Sequence, residues 1–189
     1  MHARPSYTVD AIILKRRATG EADRVITLFT KQYGKMRVLA KGVRRVTSRR
    51  GPHVEPAAYV RCVLHQGKGG KTLSEVETVE AFTAIRENLA LLSYTYYILE
   101  LVEKLLPEAQ VHRDTFDLLV ETLTKLNTRE TDVRRITVYF CRTLLVQLGF
   151  LSHEKRLSPG ELPQFIETIL ERRLTTPPIL RRLMGGLVE

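Results

Sequence analysis

Cysteine is scarce. The 189 residues hold only Cys62 and Cys141, far apart and outside any CxxC or Cys–His spacing, which excludes a disulfide framework and a structural zinc knuckle. Long apolar runs are missing too, since none approaches the ~18 to 20 residues that cross a bilayer. The start, Met1-His2-Ala3-Arg4-Pro5-Ser6-Tyr7, has no apolar stretch of the kind a secretion signal uses, so a soluble, cytoplasmic protein without membrane contact is expected. What is present suffices for a packed interior: 43% of residues are apolar and 27% charged, which rules out wholesale disorder and collagen-like repeats.

Acids are in short supply in the first 80 residues, where seven of them face sixteen Lys and Arg. That excess of nine equals the formal net charge of +9, because the fourteen bases and fourteen acids from residue 81 onward cancel. A confined basic excess points to a polyanion: each Lys or Arg near a phosphate releases condensed counterions without requiring any particular sequence. A basic membrane-surface helix would need the charges on one helical stripe, and the basic half does not carry a helical period.

That half reads as strands. Tyr7 to Leu14, Arg24 to Lys31, Met36 to Lys41, Ala58 to His65 and Thr72 to Val79 alternate or are rich in β-branched residues, with punctuation at Gln32–Gly34 and Gly67–Gly70. The polar stretch Val43 to Pro56 reads as a long basic loop. Five short strands predict a barrel of the OB type. From residue 81 the period changes to three and four. Helices are predicted over Ala84–Leu106, His112–Leu126, Val133–Leu148 behind a Thr131-Asp132 cap, and about Gly160 to Leu174, with a short last one opened by Pro177-Pro178. The third, apolar beyond its main stripe, is expected to be central. The expected architecture is α+β in two domains: a five-stranded barrel over residues 1–80 and an all-α bundle over 81–189.

Motifs for bond-making chemistry do not hold up. Gly67-Lys68-Gly69-Gly70-Lys71-Thr72 ends like a phosphate-binding loop, but a Walker A sequence needs glycine where His65 stands and a helix after it, whereas Leu73-Ser74-Glu75-Val76-Glu77 alternates as a strand. The five histidines never fall at metal-helix spacing, and Cys62 and Cys141 read as small buried apolar residues. A binding protein without catalytic residues, metal or cofactor is therefore expected. A nucleotide hydrolase using Lys71 and Thr72 is the enzymatic alternative. The surviving signal is the basic set Lys15, Arg16, Arg17, Lys35, Arg37, Lys41, Arg44, Arg45, Arg49 and Arg50, lying on strands and loops where OB barrels guide a nucleic-acid backbone. Lys35 and Arg37, two apart, leave the same side of their strand. Stacking aromatics are few (Tyr7, Phe29, Tyr33, Tyr59), and Phe29 is expected in the core, so binding is expected to be phosphate-dominated and salt-sensitive, with RNA as the alternative polyanion.

Gly20-Glu21-Ala22-Asp23-Arg24, Thr27-Leu28-Phe29-Thr30, Gly34-Lys35, Lys41-Gly42-Val43-Arg44-Arg45 and Ser48, in that order, resemble the RecO family of bacterial recombination mediators. Glu55-Pro56, the Gly67–Gly70 turn and Leu73 with Glu75 extend the likeness, and Leu99-Glu100-Leu101 and Leu148-Gly149-Phe150 carry it into the second half. The resemblance implies an OB fold, a helical C-terminal domain, binding of single- and double-stranded DNA, and strand annealing. It also implies partnership with RecR and with the C-terminal tail of the single-strand binding protein, and indirectly RecA loading. It supports DNA binding at Lys35, Arg37, Lys41, Arg44 and Arg45; the remaining bases rest on charge alone. Many members carry a four-cysteine zinc module after the Leu-Gly-Phe position, but this chain has no cysteine beyond Cys141, so zinc is not carried over. In the neutral half, Arg135 and Arg142 share a helix face and either flank a groove for an acidic tail or belong to a solvated surface.

Overall fold

The computed structural model describes residues 6–128, 132–155, 157–170 and 174. Five strands, β1 (Ser6–Thr19), β2 (Asp23–Thr30), β3 (Gly34–Ala40), β4 (Tyr59–Gly67) and β5 (Gly70–Glu80), close into a barrel in the order β1-β2-β3-β5-β4. This is the OB-type barrel that the alternation predicts. Val9, Ala11 and Ile13 of β1 point inward with Ile26 and Leu28, Met36 and Val38, Cys62 and Leu64, and Leu73. Each Val, Ile, Leu or Met side chain among them contributes about 1.5–3 kcal/mol on burial. Val43, Val54 and Ala58, from the connection between β3 and β4, join the same core. Gly67–Gly70 closes the β4–β5 hairpin, and Lys71-Thr72 continue as strand.

The chain divides into two compact units, and the first is more than the front of the sequence: Met1–Ala81 is joined by Leu106–Phe116. That returning segment was expected to belong with the helices. Here it acts as a strap on the barrel. Ala109 donates its N–H to the Lys35 carbonyl at 2.8 Å, and Glu108 bridges to Lys35 in parallel. The approach is so close that a Cβ on Gly34, whose φ is +71°, would sit 1.8 Å from the Gln110 carbonyl oxygen. Only glycine fits there. At the strap's end, Phe116 covers an apolar patch on the outside of the barrel. Its ring centroid lies 5.6 Å from that of Phe29 and 6.0 Å from that of Tyr59. Ile12 is the cross-strand partner of both Phe29 and Tyr59, and it is fully buried. β1 is therefore apolar on both faces around Ile12.

The second unit contains α1 (Thr83–Glu87), α2 (Leu89–Leu105), most of α3 (Arg113–Leu126), α4 (Val133–Gln147) and α5 (Glu161–Leu170). The single first helix expected over Ala84–Leu106 is broken at Asn88, which is extended and caps α2 by accepting from the N–H groups of Ala90 and Leu91. The central helix is α2 rather than α4. α2 buries nine residues, from Leu91 to Leu105, whereas Tyr139 of α4 is exposed. Asp132 caps α4 as expected, accepting from the Arg135 N–H at 3.0 Å; Thr131, residues 171–173 of the fourth predicted helix and the last helix opened by Pro177-Pro178 lie outside the described residues. Burial pushes the thiols of Cys62 and Cys141 up to about 12, which leaves both protonated and inert near neutral pH. Among the described residues no helix is long and apolar enough to cross a membrane.

Candidate nucleic-acid interface

The geometry of the basic set is decided by one irregularity in β1. Between Ile13 and Lys15 the register with β2 shifts by a residue: Ile13 pairs with Leu28, and Lys15 pairs with Thr27. Strict alternation from the inward Ile13 would turn Lys15 and Arg17 into the barrel. The bulge at Leu14 reverses the parity, so Lys15 and Arg17 stand exposed on the outer face while Arg16 turns to the other side. There Arg16 is half-buried in an ion pair with Glu55.

Pairing across β2 continues the outer face. Thr27 lies between Lys15 and Arg37, and Val25 lies between Arg17 and Leu39, so exposed cations from β1 and β3 flank a nearly neutral β2. Arg37 holds Glu108 of the strap at 2.9 Å, with both side chains more than half exposed. An ion pair so open to water is worth little, and an incoming phosphate can compete for the arginine. Lys35 does share the face of Arg37, but the strap crosses above it and buries it. Lys35 therefore leaves the interface. Phe29 is buried as expected, enclosed by Phe116 and unavailable for stacking.

Past β3 the chain enters a run of turns tied to the β1–β2 loop. Gly42 donates its N–H to Asp23 Oδ1 at 2.7 Å, Arg44 donates its backbone N–H to the Ala22 carbonyl at 2.9 Å, and its guanidinium reaches the Gly20 carbonyl at 3.3 Å. Arg50 is spent on the backbone, donating to the carbonyls of Lys41 at 2.7 Å and Leu73 at 2.8 Å. It anchors the loop rather than offering a free fork. Lys41, Arg44, Arg45 and Arg49 are exposed. Around Gly42 an open cavity of about 550 Å³ is lined by Lys41, Arg45, Arg49 and Arg50, with Asp23, Thr47 and Ser48 completing the wall.

Arg24, absent from the sequence-based set, lies near Arg16 and Arg44 at the start of β2. Burial and then Arg16 lower its pKa below the ordinary arginine value; Glu55 acts in the opposite sense and Arg44 adds to the lowering. Arg16 and Arg44 are thus near enough to Arg24 for their charges to act on it, with Glu55 offsetting part of the repulsion. Its place as the first basic residue of β2 was visible in the sequence, but its nearness to Arg16 and Arg44 was not.

The outer face of β4 and β5 has the opposite sign. Cross-strand pairs place Asp10 beside Arg61, Arg61 beside Glu77, Val63 beside Glu75 and Tyr59 beside Glu80. Arg61 Nε donates to Asp10 Oδ1 at 2.9 Å. In the helical unit Arg135 is exposed, but Arg142 donates to the Leu157 carbonyl at 3.0 Å and is partly buried. The two do not act as a matched pair of free cations. Among the described residues no three His, Cys, Asp or Glu side chains are grouped to hold a metal ion.

Two family models match the chain: recombination protein O N terminal over residues 1–82, and recombination protein O C terminal over residues 86–153. Curated relatives, each described as a DNA repair protein RecO, are similar at comparable levels. That of Pelotomaculum thermopropionicum is 38% identical over 117 residues, 62% of this chain and 46% of that protein. That of Symbiobacterium thermophilum is 35% identical over 144 residues, 76% of this chain and 57% of that protein. That of Salinibacter ruber is 34% identical over 151 residues, 79% of this chain and 58% of that protein. The chain spans about half the length of the curated relatives it matches.

Proposed function

The chain belongs to the recombination protein O family, and from that premise we propose that it is a non-enzymatic DNA-binding mediator of recombinational repair. It neutralises phosphates along the outer face of β1 to β3 and the loop after β3, and so lets complementary strands approach and anneal. The observation that supports this reading is the bulge at Leu14, which turns Lys15 and Arg17 outward so that Lys15 and Arg37 flank Thr27, while β3 leads on to the exposed Lys41, Arg44, Arg45 and Arg49. With Phe29 enclosed, base stacking contributes little, and the affinity comes from counterion release, falling by ~0.7 in log–log slope per contact on single strands.

RecR, the acidic tail of the single-strand binding protein and, indirectly, RecA are the partners proposed from family membership, and a cytoplasmic location follows from the same role. The partly buried state of Arg142 argues against a tail groove between it and Arg135, so Arg135 alone remains a candidate contact. The test is strand annealing followed by fluorescence quenching, on matched DNA and RNA pairs. DNA annealing that accelerates with protein and collapses with salt supports the reading. Acceleration confined to RNA, or none with either, contradicts it.

A further inference from the structure

We propose that the cavity around Gly42 is a seat for a phosphate monoester, that of a phosphorylated DNA end. The inference rests on the DNA-binding reading above and names the part of the strand that this corner of the interface takes. On the strand face the cations are spread out: Lys15 and Arg37 are separated by Thr27, an arrangement suited to successive diesters that each carry one charge. In the loop they converge. Lys41, Arg45 and Arg49 open onto one cavity of about 550 Å³, with the anchored Arg50 in its wall.

The single acid there, Asp23, has Oδ1 engaged by the Gly42 N–H. The lining holds no aromatic side chain on which a base could stack, while Thr47 and Ser48 supply hydroxyls, donors suited to phosphate oxygens. A monoester carries about −1.5 to −2 at pH 7 against −1 for a diester, so converging cations favour the end over the middle of a strand. The backbone bonds from Arg50 and Arg44 hold the loop in place before the ligand arrives, which limits the ordering cost of binding.

The experiment measures binding of the full chain, by fluorescence anisotropy at low salt, to one short oligonucleotide with a 5′-hydroxyl, a 5′-phosphate or a 3′-phosphate, with thymidine monophosphate as competitor. Phosphorylated ends should bind about fivefold tighter than the hydroxyl end. In Arg45→Gln/Arg49→Gln that ratio should fall to one, whatever diester binding remains. In the wild type the ratio should also shrink below about pH 6, where the dianionic monoester takes up a proton and becomes a monoanion while the guanidinium groups keep their charge. Equal binding of all three ends, with DNA binding intact, overturns the seat and leaves the DNA reading standing. Thymidine monophosphate competing as strongly as the phosphorylated strand overturns the assignment to a strand end in favour of a free nucleotide. No binding of any oligonucleotide overturns both readings.

Discussion

Two faces of the same barrel carry opposite charge on the same kind of backbone. The face of β1 to β3 presents Lys15, Arg17 and Arg37 and runs into Lys41, Arg44, Arg45 and Arg49; the face of β4 and β5 presents Glu75, Glu77 and Glu80 around the Arg61–Asp10 pair. Inward positions on both are aliphatic. The core therefore specifies the barrel, and outward positions are free to specify what it attracts. The net excess of the front half understates this, because it averages a strongly basic face with an acidic one.

Gly34→Ala should disturb the basic face most severely. The new methyl meets the Gln110 carbonyl in a left-handed backbone, so the strap must leave the basic face or β3 must shift. A stability loss of about 3 kcal/mol or more is expected, read as the denaturation midpoint. Next is charge reversal of Arg44 and Arg45 to Glu. This should lower DNA affinity on the order of a hundredfold in dilute buffer and flatten the salt slope by ~0.7 per lost contact. Folding stability should fall by no more than about 1 kcal/mol, since the one bond lost is that from the Arg44 guanidinium to the Gly20 carbonyl.

The bulge supplies a finer test. Lys15→Ala and Arg17→Ala should each flatten the salt slope by ~0.7, whereas Arg16→Ala, which removes the partner of Glu55, should leave the slope unchanged. Equal slopes for all three variants would mean that the outward parity has been misplaced. The smallest effect is expected on the acidic face: Glu75→Gln/Glu77→Gln should change DNA affinity by less than about twofold, through long-range repulsion alone. A tenfold gain there would put the strand on β4 and β5 instead.

The barrel was legible in the sequence because burial on one side of a strand writes itself as alternation. Met36, Val38 and Ala40 against Arg37, Leu39 and Lys41 is such a case. The interface was legible only in part, for three physical reasons. A bulge leaves no local signature: Ile13-Leu14-Lys15 reads as strand either way, yet it decides which of three adjacent cations faces out. Lys35 is buried by residues more than seventy positions away, and no local pattern reports cover from a distant segment. Arg50 and Arg142 are charged and near the surface, but their guanidinium groups end on backbone carbonyls that only the fold brings close. The break before α2 was carried by Asn88, whose capping role a longer apolar stripe masked.

Phosphate neutralisation by one face of the barrel underlies all of these expectations. Its most direct test is a salt titration of DNA binding by the full chain, wild type beside Lys15→Ala/Arg17→Ala, with fluorescence anisotropy on a labelled single strand. Tight binding in dilute buffer is expected, with a linear fall of log affinity with log salt and a slope shallower by about 1.4 in the double variant. Wild-type binding that is absent in dilute buffer, or a slope identical in the two proteins, would contradict it.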